Sequence, residues 1–166
     1  MLKLWKLGAG AVALIALAGA ALAEDAPPPE KFYKLDFVMR EVEAGKVLNS
    51  RSYSVIISGR ESDRASVRTG TKVPFSSGNM VQYADIGVNI DCLHVHELGD
   101  NLTMQVQADL SSLPPGQQPG NTPVVREDKW NSMVIVPLRK PTILFTSDDP
   151  ASRQQVQLEL TATPIR

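Results

Sequence analysis

Cys92, His94 and His96 are the residues of this sequence whose types and spacing most suggest chemistry. On a β-strand, residues two apart point to the same face about 6.5 Å apart. A thiolate and two imidazoles so arranged could hold zinc or copper. The chain has one cysteine and two histidines, so a fourth ligand would be an acidic residue or water. The same three residues also read as structure. A free cysteine commonly behaves as a small buried hydrophobe; Cys92 would then end an apolar core face, with the histidines near the edge of a sheet.

Other patterns carry less. His96-Glu97-Leu98-Gly99-Asp100 stops one residue short of the H-E-x-x-H of zinc proteases, which needs its two ligands one helical turn apart; here Gly99-Asp100 reads as a turn instead. No serine lies in a G-x-S-x-G context. No Gly-rich loop that would cradle a phosphate occurs after residue 23. Asp148-Asp149 precedes Pro150 and lacks the spaced oxygen ligands of a calcium loop, so it reads as a turn. Asn101-Leu102-Thr103 is a glycosylation sequon. Tyr33, Tyr53, Tyr83 and Trp130 could stack on a sugar or peptide if exposed, and pack a core if not. No reaction and no cofactor is implied, and the expectation is a non-enzyme.

The elements that must position these residues are strands. Apolar and polar residues alternate with period two. Tyr33, Leu35, Phe37 and Met39 oppose Lys34, Asp36 and Arg40, and Tyr53, Val55 and Ile57 oppose Ser50, Ser52 and Ser54. Ala44-Gly45-Lys46 between them predicts a hairpin. A strand over Arg64–Thr69 and a loop over Gly70–Asn79 are expected next. Ala84, Ile86, Val88, Ile90 and Cys92 share a face, but beyond Cys92 the apolar set moves to Leu93 and Val95. A one-residue phase change of this kind predicts a bulge, or a bend between two sheets. Leu102 to Leu110 alternates without a miss. Trp130, Ser132, Val134 and Val136 oppose Met133 and Ile135; Thr142–Ser147 follows; Val156, Leu158, Leu160 and Ala162 close the chain. The fold expected is all-β, an antiparallel sandwich or partly open barrel of about eight strands.

Composition agrees. After residue 23 the chain holds 22 Val and Ile against 7 Ala, a strand-former's balance. Residues 1–23 have the order of a cleaved export signal: Lys3 and Lys6, an apolar stretch, then Ala21-Leu22-Ala23. The apolar run from Leu7 to Ala23 is shorter than the ~20 residues that span a bilayer comfortably. No Cys follows it, as a lipoprotein anchor would need. An exported chain with one thiol has no internal disulfide. Residues 24–31 form a Pro-rich spacer and 32–166 a single β-domain, interrupted by a Pro/Gly/Gln loop at 114–123. Without Lys3 and Lys6, 15 basic residues face 18 acidic ones, a net charge of −3. That excludes a general nucleic-acid binder, which needs a basic surface to displace counterions.

Several runs resemble the core β-domain of bacterial secretins of type II and III secretion systems and type IV pili. They are SVRTGTKVPF, VQYADIGVNIDC, NLTMQVQADLSSL, MVIVPLRKPTILF and LELTATPI. The matching positions are Gly70 and Pro74 of a Gly-x-x-x-Pro loop, then Tyr83, Asp85 and Gly87 of a Tyr-x-Asp-x-Gly strand. An alternating strand ending in Ser111 follows, and a closing strand carries Thr163 and Pro164. The resemblance implies an exported β-domain without catalytic residues. It is a short form: Ser147–Arg153 stands where the family has a long gate insert, and the ring-forming modules before the domain are lacking. The expected role is a periplasmic or envelope protein that associates with a protein partner, or with itself, through open sheet edges. The alternatives are an exported metal-binding protein centred on Cys92, His94 and His96, and a carbohydrate- or peptide-binding sandwich.

Overall fold

Period-two alternation produces eight strands: β1 (Phe32–Glu43), β2 (Lys46–Ser58), β3 (Arg64–Ser77), β4 (Met80–Leu98), β5 (Asn101–Ser112), β6 (Arg126–Pro137), β7 (Thr142–Asp148) and β8 (Gln154–Ile165). The computed structural model describes residues 29–60, 62–77, 79–113, 124–150 and 153–165. The export signal expected at 1–23 and the loop expected at 114–123 lie outside the described residues, as do all but the last three residues of the 24–31 spacer. Among the described residues there is no helix.

The strands form two four-stranded antiparallel sheets, ordered β2-β1-β8-β7 and β3-β4-β5-β6. The fold is therefore the sandwich, not a closed barrel: among the described residues no ladder joins one sheet to the other, and only the isolated bridge Leu138↔Ala162 links them. The chain makes the β1–β2 hairpin, crosses to build the second sheet as a meander, then returns for β7 and β8. β8 slots beside β1, and the two pair at twelve positions from Phe32↔Ile165 to Glu43↔Gln154.

Sheet order explains which strands build the core. The four inner strands β1, β8, β4 and β5 supply Tyr33, Leu35, Phe37, Met39, Val156, Leu158, Leu160, Ala162, Val88, Ile90, Cys92, Val95 and every second residue from Leu102 to Leu110. The outer strands add only Ile57, Ala65 and Val136 to the buried apolar set. A strand with neighbours on both sides has its inner face wholly covered, so its alternation is strict; an edge strand is covered on one side and its burial is partial.

Turn chemistry matches the hairpins. Between β1 and β2, Ala44 (φ +47°) and Gly45 (φ +79°) are both left-handed, as a type I′ turn requires. Gly99 (φ +59°) opens the β4–β5 turn, the position where a type II′ turn takes glycine. At one end, the Glu97 carboxylate on β4 accepts from the Tyr33 hydroxyl (2.7 Å) and the Lys31 ammonium, tying the two sheets together. At another corner, Arg126 on β6 reaches Asp149 (3.1 Å), and the Ser147 hydroxyl on β7 donates to Asp128 (2.8 Å).

Two expectations are corrected or sharpened. The loop expected over Gly70–Asn79 is strand as far as Ser77: β3 runs unbroken to there and pairs with β4 at fourteen positions. Local turn signals lose to cross-strand pairing, and Pro74 is tolerated because β3 is an edge strand. The phase change after Cys92 is a bulge within β4 and not a bend between sheets. The β4–β5 register shifts between Leu93 and His96, and His94 takes up the extra residue at φ +53°.

Candidate interaction surface

The bulge decides the fate of the residues first singled out. Cys92 lies on the inner face before it and is 1% exposed. Burial, helped by the neighbouring Asp91 charge, pushes its thiol up to about 12, so it stays protonated and poorly nucleophilic. His94 is the inserted residue and His96 lies beyond it; both are exposed. His96 Nε2 lies 2.6 Å from Thr103 Oγ1 on β5. The strand thus places the thiol in the core and both imidazoles at the surface. Among the described residues, no group of three or more His, Cys, Asp or Glu side chains is placed to share a metal ion. The aromatic candidates are likewise dispersed: Tyr33 is buried, Tyr53 half-buried, Trp130 packed on Phe145 (ring centroids 5.8 Å apart), and Tyr83 alone is exposed.

The outer face of the second sheet is polar around Asp91. Asp91 is its most connected group, accepting from Ser66 (2.6 Å), from Arg64 and, through both carboxylate oxygens, from Arg68 (2.6 and 2.8 Å). Burial alone would raise the Asp91 carboxyl, but the hydrogen bonds from Ser66, Arg68 and Arg64 outweigh it and hold it below the usual carboxylate range. Two open hollows lie on this face, of about 400 and 290 Å³. The first is walled by Arg68, Lys72, Asp85, Asn89 and Ser111 around the Gly70–Gly87 pair, and the second by Asn89, Gln107, Asp109, Lys129 and Asn131. Neither contains a histidine or cysteine, so neither sets a nucleophile beside an imidazole base.

Gly70 and Gly87 face each other across β3 and β4. A Cβ on Gly87 would stand 2.0 Å from the Thr69 carbonyl oxygen and 2.5 Å from the Gly70 Cα; one on Gly70 would stand 2.6 Å from the Ile86 carbonyl oxygen. The strands approach too closely for any side chain at either position. Here the β4–β5 ladder stops, at Val88↔Leu110. The Ser111 hydroxyl completes it by accepting from the Gly87 N–H (2.9 Å). Beyond this point β3 and β4 continue as a two-stranded ribbon with no third strand beside them among the described residues. The β4 arm of the ribbon was expected, as part of a strand from Met80 to His96, but the β3 arm was missed, although Val73 and Phe75 alternate there with polar residues and Pro74, a strand signal hidden among Gly, Pro and Ser.

The sheet edges are the other exposed feature of the sandwich. β6 ends the second sheet and pairs with β5 alone. Its first half carries Arg126, Glu127, Asp128 and Lys129; from Asn131 to Pro137 it carries no charge. On that uncharged half Met133 (58%) and Ile135 (61%) stand exposed. Charges are the usual guard against unwanted strand addition, and half of this edge lacks them.

No protein-family model matches the chain, and no curated protein matches it closely enough to count as a relative. Solved structures similar to it include the Klebsiella pneumoniae type II secretion system outer membrane complex of PulD with PulS and the PulC HR domain. The match has TM-score 0.47 and 10% identity, and covers 82% of this chain and 39% of that one. Another is the InvG secretin domain β-barrel of a Salmonella injectisome (TM-score 0.45, 9% identity, 82% and 62% covered). A third is the type II secretin GspD of enteropathogenic Escherichia coli (TM-score 0.44, 10% identity, 82% and 67% covered). The chain thus spans about two fifths to two thirds of the lengths of these three. At 9–10% identity these are likenesses of fold alone.

Proposed function

We propose that this chain is a non-enzymatic, exported envelope protein that works by associating with protein through its sheet edges, as a partner's docking surface or with further copies of itself. The observation that carries the reading is the β6 edge: Asn131 to Pro137 has an open side in its sheet, no charged residue, and Met133 and Ile135 turned outward. An extended segment added there would gain main-chain hydrogen bonds along the strand and apolar contact at alternate residues. The strand motifs that resemble those of secretins, and the multi-protein secretion complexes among the similar structures, support the envelope setting.

The test is gel filtration of the full chain together with chemical crosslinking in cell envelopes, repeated on Ile135→Lys. Association is expected for the wild type. Ile135→Lys is expected to elute as a monomer, lose its crosslinks and melt at the same temperature. A wild-type chain that is strictly monomeric and crosslinks to nothing in the envelope overturns the proposal.

A further inference from the structure

Gly70 and Gly87 leave a gap in the outer face of the second sheet. Paired residues share a side, so this face carries Pro74↔Tyr83, Lys72↔Asp85, Gly70↔Gly87 and Arg68↔Asn89 in successive rows. The glycine row has no side chains. The larger hollow is therefore floored by main chain and walled by the rows on either side. Asn89 lines both hollows and joins them. The result is a trough that runs obliquely over the sheet, from the glycine floor past Asn89 on β4 to Gln107 on β5 and Asn131 on β6. Its two parts, about 400 and 290 Å³, together have the size of a small-ligand cleft, ~300–1,000 Å³.

The charges of the trough cancel. Its walls hold three cations, Arg68, Lys72 and Lys129, against three anions, Asp85, Asp91 and Asp109. Each cation is already held by a carboxylate: Arg68 by both oxygens of Asp91, Lys72 by Asp85 (2.8 Å) and Lys129 by Glu127 (3.0 Å). An anionic ligand would have to displace one of them, so the trough suits a neutral one. What it offers such a ligand is hydrogen bonding from the amides of Asn89, Gln107 and Asn131, each with donors and acceptors side by side. One apolar plate stands at its end. Tyr83 lies on the same face, two residues or ~7 Å along the strand from Asp85, and is 62% exposed. A ligand that matches both features has hydroxyls around its rim and an apolar C–H face, which describes a pyranose ring. We infer that the trough binds a neutral glycan of β-linked hexoses. One ring stacks on Tyr83, a second lies over the Gly70–Gly87 floor with hydroxyls toward Asp85, Lys72 and Asn89, and the chain continues toward Gln107 and Asn131. The missing Cβ atoms let a ring approach the main chain, and the length from Tyr83 to Asp91, ~26 Å at ~3.3 Å per residue, calls for an extended chain. This inference does not depend on the β6 edge.

The test is a titration of the isotopically labelled full chain, followed by the amide signals in nuclear magnetic resonance. The ligands are cellotetraose and chitotetraose, neutral β-linked chains without and with acetamido groups, and maltotetraose, whose α-linkages curl the chain. The N–H signals of Gly70, Gly87 and Asn89 are expected to shift with a β-linked ligand, equally at low and high salt. A shift with chitotetraose alone also supports the inference and shows that the amides read the acetamido group. Tyr83→Ala and Asn89→Ala, both at exposed positions, are each expected to weaken binding about tenfold without changing the melting temperature. Ile135→Lys is expected to leave binding intact, which keeps this test separate from that of the β6 edge. The inference is overturned if neither β-linked ligand shifts these signals up to about 10 mM, too weak an affinity for a site. It is equally overturned if both alanine variants bind as the wild type does, if maltotetraose binds as well as the β-linked chains, or if high salt abolishes binding, which would mean an ionic contact.

Discussion

Replacing Gly87 by alanine tests the geometry on which the ribbon rests. The added Cβ would lie 2.0 Å from the Thr69 oxygen and 2.5 Å from the Gly70 Cα, against an ordinary C···O contact of about 3.3 Å. Both obstacles are main chain, so no side chain can swing aside; the strands must part by more than about 1 Å. Parting them breaks about two ladder hydrogen bonds at this step, ~1 kcal/mol each, and adds an overpacking strain of ~1–3 kcal/mol. The bond from the Gly87 N–H to Ser111 Oγ (2.9 Å) is also disturbed. Alanine restricts the unfolded chain, which returns about 0.4–1 kcal/mol. The net loss is about 2–4 kcal/mol. For a domain of roughly 135 residues, 3 kcal/mol lowers the melting temperature by ~10 °C. The assay is thermal unfolding followed by far-ultraviolet circular dichroism, with Gly45→Ala beside it. At Gly45 the new Cβ meets nothing within 4 Å and only the φ of +79° resists, which costs ~1–2 kcal/mol. If Gly87→Ala melts within about 2 °C of the wild type, or no lower than Gly45→Ala, the close approach of β3 and β4 is wrong.

Three further outcomes are expected. Cys92 should resist thiol reagents in the folded protein and react fully in denaturant, and excess zinc should leave the melting temperature unmoved; a zinc-dependent rise would show that the thiol and imidazoles converge after all. Ala44→Asn should raise stability by up to ~1 kcal/mol, read as a rise of about 3 °C, because asparagine tolerates the left-handed conformation that alanine adopts at strain. On acidification, Asp36, Asp91 and Glu97, all held below their ordinary range, bind protons more readily unfolded than folded. Their contribution is complete above the ordinary carboxylate range and is lost as pH falls through it and below. Melting temperature should therefore drop from about pH 4 downward, and Asp91→Asn should show a shallower drop; an unchanged slope in that variant would contradict the role given to Arg64, Arg68 and Ser66.

Strand content and inner faces were legible because alternation is a local property of the chain. Tyr33 to Met39, Leu102 to Leu110 and Val156 to Ala162 are each read correctly as core faces, and the hairpin at Ala44-Gly45 follows from turn chemistry alone. The shift after Cys92 was legible as a change of phase. Its consequence was not, since one inserted residue turns the side chains beyond it to the other face, and only the register against β5 says where the insertion falls.

The amino-acid order by itself determined that this chain is all-β, which side chains face inward on the central strands, and where several of its turns fall, because each depends on residues a few positions apart. Only the tertiary structure decided that β8 lies beside β1, that β6 is an edge, and that Gly70 meets Gly87. The same pairing turned residues 70–77 into strand and lifted Met80, Val81 and Tyr83 beyond the sandwich. These are contacts between residues far apart in sequence. Main-chain hydrogen bonds, which carry no signature of their own in the side chains, fix them once the apolar faces have found each other.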